Sequence, residues 1–507
     1  MTHSPGVVGE STALRIAASL TDSQRSALLG AASETAQSAP VIATGPTGIE
    51  RIEPLVLATL DGRTAVFTAG TGPVVREAVA LLDEGTLPVD GSDFVVDHGE
   101  TPETLPLPAD GPLAVGRREL LGPCGWVDPV APHDYEFVST SQDAGDVLDI
   151  GLLGRGRGDA TADAPVAAAW EQAREADGDP VIVVNAHEVD HRPRADRTLL
   201  ESTPLAVIDG AVAVARYVDA SDLVVYLTEA DEHLRTRLHE ALDASADDLS
   251  IVPEVVVGPD EYRAGAPTTA LEAMEGADRL EPRLQPPPPS EYGLHGRPTV
   301  IHTPRTVAQV RRALLEPTAF DPDAADPGSR LVTVCGDVAA PATVELPPGG
   351  SLETVRDAVE PTAGFGFACV GGVLGGFTRD LSVAPTSQAL ASASLGTDGV
   401  VEFLAEATCV VATACDRARF AAEENSGRCV PGREGTTQLT DLLRGVYEGR
   451  FDPETIRELG RVMRRSANCQ IGRQAPRPAI TAMDEFGAAF RAHAEGRCPA
   501  GSCTFRQ

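Results

Sequence analysis

The chain has 507 residues, and its 75 Asp and Glu against 41 Lys and Arg give a formal net charge of −34. No lysine occurs in the sequence, so every fixed side-chain cation is an arginine. Nucleic-acid binding needs a basic face to neutralise phosphates, so this composition argues against a nucleic-acid partner. An acidic, lysine-free surface is typical of halophilic proteins, whose self-repulsion is screened by salt. An acidic mimic of nucleic acid is the alternative, but here the acidity is spread along the whole chain.

The length predicts about two to four domains, each large enough for its own core. No apolar run approaches the ~20 residues that a transmembrane helix needs. The N-terminus lacks the basic region and apolar core of a signal peptide. The nine cysteines are scattered and form no dense disulfide framework. We therefore predict a cytoplasmic protein without a transmembrane segment.

The first 120 residues divide into two segments. Residues 1–45 are rich in Ala, Ser and Thr and are predicted to be a helical or flexible segment, with a helix at 14–32. Residues 46–120 alternate short apolar runs with a helical stretch, which predicts a small α/β module. The runs and the helical stretch lie at Leu55–Thr59, Ala65–Thr68 and Val74–Leu82.

Residues 121–325 show a pattern of strands alternating with helices. Buried strands are predicted at Val181–Val184 and Leu223–Leu227, and an apolar-periodic helix at Leu205–Arg216. Such alternation indicates a largely parallel sheet with ligands at the carboxyl ends of its strands. The run Asn185-Ala-His-Glu188 follows the first strand directly. It is a candidate ligand site, with an ordinary polar turn as the alternative.

A glycine-rich loop precedes that strand, with the sequence Gly151-Leu-Leu-Gly-Arg-Gly-Arg-Gly158. Glycines let backbone amides approach a phosphate closely, and the dipole of a following helix favours its negative charge. Asp159 and Asp163 add negative charge beside this loop, and we expect them to weaken phosphate binding. The candidate phosphate-binding residues are Gly154, Arg155 and Gly156.

The C-terminal part is predicted to contain a small β domain and a helical bundle. Residues 326–396 show short strands with glycine-rich turns, and residues 397–495 show three or four amphipathic helices. The tail at 496–507 contains Cys498 and Cys503. Their spacing permits a disulfide, metal ligation shared with a partner, or two exposed thiols near a frayed end.

Four collinear motifs resemble the NADH-oxidising flavoprotein subunit of complex I and the diaphorase subunits of soluble hydrogenases and formate dehydrogenases. The loop at Gly151 is similar to that family's flavin loop, G-L-R-G-R-G-G-A-G-F-P-T-G. The run from Asn185 to Asp190 is similar to its Asn-Ala-Asp-Glu-Ser-Glu, and Glu261-Tyr-Arg-Ala-Gly to its A-Y-I-C-G. The run Glu424-Asn-Ser-Gly-Arg-Cys-Val-Pro-Gly-Arg-Glu-Gly resembles its cluster loop, E-S-C-G-x-C-x-P-C-R-E-G.

The resemblance implies a multidomain α/β fold. It places a Rossmann-like FMN-binding domain at 121–325, a small β-grasp (SLBB-like) domain at 326–396 and an iron–sulfur-binding-type helical bundle at 397–495. It also implies a thioredoxin-like module at 46–120. The turn that begins at Thr68 has no cysteine there, so this module is degenerate and lacks the cysteines for a [2Fe–2S] cluster.

The resemblance further implies FMN and NAD(H) as ligands. The residues that it assigns to the flavin, besides the glycine-rich loop, are Asn185, Glu188, Tyr262 and Gly265. Two adjacent glutamates that follow this glycine in the family are absent here, and Gln285 stands where a lysine is usual. We therefore predict weakly held FMN and little direct oxidation of NADH.

A [4Fe–4S] cluster is the second cofactor that the resemblance implies, but its four thiolate positions are only partly kept. They are occupied here by Ser426, Cys429, Gly432 and Cys469. Glycine offers no ligand, so the inherited metal ligands are Cys429, Cys469 and Ser426. Cys409 is our first candidate for the vacant position.

Two functions follow from these motifs. The first is a redox subunit that transfers electrons through FMN, with other redox subunits as partners. The alternative is a cofactor-poor paralogue that serves as a scaffold or partner-binding subunit without NADH oxidation. A flavin absorption spectrum of the purified protein separates the two.

Overall fold

The N-terminal part of the chain is a five-stranded sheet with two helices packed on it. The computed structural model describes residues 11–99 and 102–503. The elements are β1 (Thr12–Ala17), α1 (Arg25–Thr35), β2 (Val41–Thr44), β3 (Leu55–Leu60), β4 (Arg63–Phe67), α2 (Gly72–Asp83) and β5 (Phe94–Asp97). The strand order is β2-β1-β3-β4-β5, with β1 and β2 parallel and the other neighbours antiparallel. The predicted strands and helix at 55–82 are thus confirmed.

The prediction of a helical or flexible segment at residues 1–45 is wrong for the residues that the structure describes. Leu14 and Ile16 are fully buried in β1, which pairs with β2 on one side and β3 on the other. The other face of β1 is covered as well, because the guanidinium of Arg15 lies there against the Trp126 ring. A strand buried on both faces lacks polar alternation, so its apolar run looked helical. Residues 1–10 lie outside the described residues.

The central part is an α/β unit built on a parallel sheet. Its elements are β6 (Leu153–Gly154), β7 (Ala164–Pro165), α3 (Val166–Glu175), β8 (Val181–Asn185), α4 (Ala195–Ser202), α5 (Pro204–Val218), β9 (Asp222–Thr228), α6 (Glu232–Ser245), β10 (Glu254–Gly258), α7 (Pro267–Met274), β11 (Thr299–His302) and α8 (Pro304–Leu315). The order β10-β9-β8-β11 is parallel throughout, which confirms the predicted parallel sheet. Alternate residues of β8 pack on α5 and on α7, so helices cover both faces.

A second, mixed sheet follows the α/β unit. Its elements are β12 (Arg330–Gly336), β13 (Ala342–Leu346), β14 (Phe365–Val370), β15 (Gly376–Thr378), α9 (Ser387–Ser392) and β16 (Val400–Ala405). The strand order is β13-β12-β16-β14-β15, with β12 and β16 parallel at the centre. The predicted boundary at 396/397 is therefore wrong, because β16 is an inner strand of this sheet. The run Val-Val-Glu-Phe-Leu carries apolar residues on both faces for that reason, with Glu402 as its charged member.

The described chain ends in a helical bundle. Its helices are α10 (Val410–Glu424), α11 (Val430–Val446), α12 (Pro453–Ser466), α13 (Gln470–Gln474) and α14 (Pro476–Ala494). Their apolar faces share one core with residues of β14 and β15, so the bundle and the mixed sheet pack as neighbours. No single helix of the described residues is long and apolar enough to cross a membrane. Helices α4 and α5 reach that length and composition only as a pair, which is bent by 102°.

Glu53 lies between β2 and β3, and we expect it to make stability depend on pH. Its carboxyl group accepts hydrogen bonds from the amide and hydroxyl of Thr47, and burial raises the pKa of Glu53 from 4.5 to about 7. Between these values the folded chain binds more protons than the unfolded chain, so stability falls as pH rises.

The Glu53→Gln variant keeps the acceptor oxygen but cannot ionise. Its unfolding free energy relative to that of wild type should therefore rise by about 3 kcal/mol between pH 4.5 and 8. Urea denaturation at fixed salt measures this difference. A difference that does not change with pH would contradict the assignment.

Candidate functional site

A cavity of about 220 Å³ lies where the carboxyl ends of β8 and β11 meet the glycine-rich loop. Parallel strands end at the same edge of their sheet, which brings Asn185 and His302 together there. Ala164, Pro165 and Ile301 contribute an apolar wall. The sequence-predicted residues that line this cavity are Gly154, Arg155, Gly156, Asn185, Glu188 and Gly265.

A second cavity, of about 490 Å³, adjoins the first and extends to the cysteine loop of the bundle. The two share lining residues, among them Thr161 and Pro267. Ser426 and Cys469 line the far end of the second cavity. The structure thus joins the two halves of the predicted site in one continuous cleft.

The side chain of Arg155 is held by the protein's own carboxylates. Its guanidinium forms ion pairs with Asp326 at 2.5 Å and Asp163 at 3.2 Å, and Asp163 also pairs with Arg330 at 2.6 Å. All four side chains are at most 3% exposed. The backbone N–H of Arg155 donates to Thr306 Oγ1 at 2.8 Å. Arg155 therefore anchors the loop to the chain before β12, with its charge already neutralised.

Asp159 is neutralised in the same way. It pairs with Arg157 at 2.8 Å and accepts a hydrogen bond from the Tyr262 hydroxyl. Burial raises the pKa of Asp163, but Arg330 and Arg155 bring it below its ordinary value of 3.8. Each of the two carboxylates is therefore paired with at least one buried guanidinium group, and the expectation that they weaken phosphate binding stays a prediction.

Tyr262 lies behind the cavity instead of lining it. The guanidinium of Arg157 covers its ring at 4.2 Å, and the ring meets Phe420 of α10 edge-on at 4.8 Å. Tyr262 therefore positions Arg157 and links the α/β unit to the helical bundle.

The end of β8 is ordered by hydrogen bonds from its polar side chains. Asn185 Nδ2 donates to the Gly265 carbonyl at 2.9 Å. The His187 ring stacks on Tyr226 and its Nε2 lies 2.8 Å from the Pro259 carbonyl, so Nε2 carries the proton. A Cβ at Gly265 would lie 2.8 Å from the His187 carbonyl oxygen, so this close approach requires glycine.

One buried carboxyl group, Glu188, lines the cavity, and a second, Asp398, lies behind the cavity residue Arg305. Burial raises the pKa of Glu188 well above its ordinary value, and burial raises that of Asp398 to about 7. Arg305 lies 3.4 Å from Asp398 and contributes to the same group of charges. A protonated carboxyl donates a hydrogen bond as well as accepting one. The sequence analysis missed Arg157, Arg305 and Asp398. Of these, only Arg157 had a signal in the sequence, which was its place in the Gly-Arg-Gly-Arg repeat of the loop.

The residues at this cleft fit a flavin nucleotide. Among the described residues, His187 Nδ1 and Arg157 Nη2 are buried without a hydrogen-bond partner, and both residues line the first cavity. Buried polar atoms without partners are rare, so these two are suited to a polar ligand. The first cavity is smaller than the roughly 300–1,000 Å³ of ligand pockets, so FMN requires part of the second as well.

The cysteine site does not fit a four-thiolate cluster. Cys429 and Cys469 precede α11 and α13, and their sulfurs lie 3.6 Å apart. A Cβ at Gly432 would lie 2.9 Å from both sulfurs, so the position of the missing ligand faces this pair. The inherited donors are these two thiols and Ser426, whereas each iron of a cube takes its own ligand.

Cys409 cannot supply the missing ligand, so that prediction is wrong. It precedes α10, and the 15 residues of this helix span about 22 Å before the loop that holds Cys429 begins. The Cys409 sulfur lies instead 3.2 Å from His493 Nε2, at the other end of the bundle.

Comparison with known proteins agrees with this architecture. Residues 147–312 match the family model of the Nuo51 FMN-binding domain, and residues 412–493 match that of the NADH-ubiquinone oxidoreductase-F iron-sulfur binding region. The chain is 30% identical over 351 residues to the F-type subunit of NADH-quinone oxidoreductase from Mycobacterium bovis, and the match spans 64% of this chain and 77% of that protein. The chain belongs to the family of F-type subunits of NADH-quinone oxidoreductase.

Two further relatives extend this family assignment. NADP-reducing hydrogenase subunit HndC of Solidesulfovibrio fructosivorans is 28% identical over 422 residues, which cover 75% of this chain and 84% of that protein. A chain in the crystal structure of NAD+-reducing [NiFe]-hydrogenase in the H2-reduced state has a TM-score of 0.65 at 23% identity, and the match covers 97% of this chain and 85% of that chain. This last likeness concerns the fold.

Proposed function

We propose that this homologue of the F-type subunits binds FMN and transfers electrons within a larger redox complex. The observation that carries the proposal is the continuous cleft between the glycine-rich loop and the Cys429–Cys469 pair. Bound FMN would supply the exchange between two-electron and one-electron transfer. Asn185, Glu188 and the backbone of 154–157 would hold it.

The chain's own residues shape the environment of that cofactor. Arg155 and its carboxylate partners fix the loop, and the Asn185–Gly265 hydrogen bond fixes the polar edge of the cavity. Glu188 is placed to donate or accept a proton at a polar ligand atom, because burial favours its protonated form. The apolar wall excludes water from the opposite side.

We further infer that NAD(H) has a weakened site in the second cavity. Ala266 and Pro267, which directly follow Gly265, line this cavity together with Gln285. In the resemblance described above, charged side chains stand near these positions. Without them the cavity wall has fewer groups that recognise a nicotinamide nucleotide, so we expect slow turnover with NADH.

We also propose fold assignments for the two sheets. The N-terminal sheet is thioredoxin-like, supported by the parallel pair β1–β2 around α1 and the antiparallel pair β3–β4 before α2. The mixed sheet is β-grasp-like, supported by the hairpin β12–β13 and the parallel contact of β12 with β16.

Flavin binding gives a direct test of this function. We expect the purified protein to carry sub-stoichiometric FMN, to quench the fluorescence of added FMN, and to show little NADH:ferricyanide reductase activity. The Asn185→Ala variant loses a hydrogen bond of the cavity, so FMN affinity should fall about tenfold.

The matched control for this variant is Gln388→Ala, which removes an exposed amide on α9 and should leave FMN affinity unchanged. A colourless protein that does not quench FMN would instead support the scaffold function.

A further inference from the structure

Four metal-binding side chains meet at the end of the bundle that lies away from the cleft. They are Cys409, His493, Cys498 and Cys503, and one ligand atom of each lies within 4.8 Å of those of the other three. Cys409 precedes α10, His493 lies in the last turn of α14, and the two remaining cysteines follow α14. Neither family-model region extends to the last two of these residues.

We propose that these four side chains bind one Zn²⁺ ion in a tetrahedral Cys3His site. Zinc binds cysteine sulfur at about 2.3 Å and histidine nitrogen at about 2.0–2.1 Å, so its ligand atoms lie about 3.5–4 Å apart. The Cys409 sulfur and His493 Nε2, 3.2 Å apart, need to separate only slightly. In an iron–sulfur cube each thiolate binds a different iron, so the thiolate sulfurs lie farther apart than those around one zinc ion.

The histidine is oriented as a metal ligand. His493 Nδ1 lies 2.7 Å from the carbonyl oxygen of Ala489, so Nδ1 carries the proton and donates it there. The lone pair of Nε2 is thereby directed at the cysteines, and a carbonyl partner on the second nitrogen is usual for zinc-bound histidines. The residue is fully buried, so its orientation is fixed by packing.

The cysteines are surrounded by hydrogen-bond donors. The Ala412 amide lies 3.4 Å from the Cys409 sulfur, and the amides of Ala500, Ser502 and Cys503 surround that of Cys498. Gly501 adopts a positive φ of 71°, which allows the tail to turn back between its two cysteines. The backbone around these cysteines thus holds their sulfurs at the same end of the bundle as His493.

Zinc binding is balanced by proton release. Each of the three thiols gives its proton to solvent as its sulfur bonds to the ion, and the neutral histidine gives none. The completed site has a net charge of −1. It ties the tail at 498–503 to both ends of a long helical segment, so its role is to fix the tail against the bundle.

Metal analysis of the full-length chain tests this proposal. Expressed with zinc in the medium and passed through a chelating resin, wild type should retain about one zinc per chain. The Cys498→Ser/Cys503→Ser variant should retain almost none. Cobalt-substituted wild type should show the thiolate charge-transfer and tetrahedral d–d absorption bands, and the variant should lack them.

Two matched controls separate this site from other thiols. Cys415→Ser lies on the same helix as Cys409 but outside the group of four, and Cys429→Ser/Cys469→Ser alters the cleft cysteines. Both should keep the full zinc content. The proposal is overturned if the tail variant keeps its zinc, if wild type binds neither zinc nor cobalt, or if wild type holds iron that the tail variant loses.

Discussion

Replacement of Asp163 by asparagine should lower the unfolding free energy by about 3–5 kcal/mol, because it leaves a buried positive charge unpaired. Asp163 is fully buried and pairs with both Arg155 and Arg330, and it also accepts a hydrogen bond from Ser387. With Asp326 these residues form a neutral group of two cations and two anions. Asparagine has nearly the same shape as aspartate, so the loss of stability measures the removed charge and not the creation of a cavity.

Urea denaturation at fixed salt concentration measures this effect. The matched control is Asp97→Asn, which removes the carboxylate of an exposed pair with Arg63 and should cost about 0–1 kcal/mol. The Asp326→Asn variant should also be strongly destabilised. The double variant should lose less than the sum of the two, since both carboxylates serve the same arginines. An Asp163→Asn loss no larger than that of the control would show that the charges are not coupled.

The parts of the fold that sequence alone predicted are those with local, periodic signals. β8, β9 and α5 lie within a few residues of their expected bounds, because buried β-branched runs and helical periodicity depend on neighbouring residues. The errors fall at β1 and β16. Both are inner strands whose pairing depends on residues far away in the chain, and neither shows polar alternation.

The candidate site was predictable in its backbone but not in its charges. The glycine-rich loop and Asn185 line a common cavity, as expected. The partners of Asp159 and Asp163 could not be read from the sequence, since Arg330 is remote and two of the arginines belong to the loop itself. Aspartates that looked unfavourable in the sequence thus prove to be part of the support of the loop.

The cysteines include one pairing that was predicted correctly and one that was not. The resemblance placed Cys429 and Cys469 together, and their sulfurs do meet, because each cysteine precedes a helix of the same bundle. Cys409 was the first candidate for the vacant ligand position. The length of α10 separates it from that loop and brings it to His493 instead.

Restoring the two absent thiols should let the chain assemble a [4Fe–4S] cluster much more completely than wild type does. In the Ser426→Cys/Gly432→Cys variant four thiolates surround the space now occupied by the Cys429–Cys469 pair. A cysteine at 432 is crowded without a cluster, because its Cβ would lie 2.9 Å from both sulfurs. Four irons move these sulfurs apart and relieve the crowding, so cluster assembly and folding should favour each other.

Anaerobic reconstitution with iron and sulfide measures the result. We expect about four irons per chain in the double variant and well under that in wild type, with a reducible cubane EPR signal only in the former. Gly432→Ala is the matched control, since it introduces the same crowding without a ligand. It should bind no cluster and lose about 1–3 kcal/mol of stability from overpacking. Wild type that assembles a full cluster would show that a thiol outside this loop completes it, whereas a double variant without iron would show that the loop no longer has the shape of a cluster site.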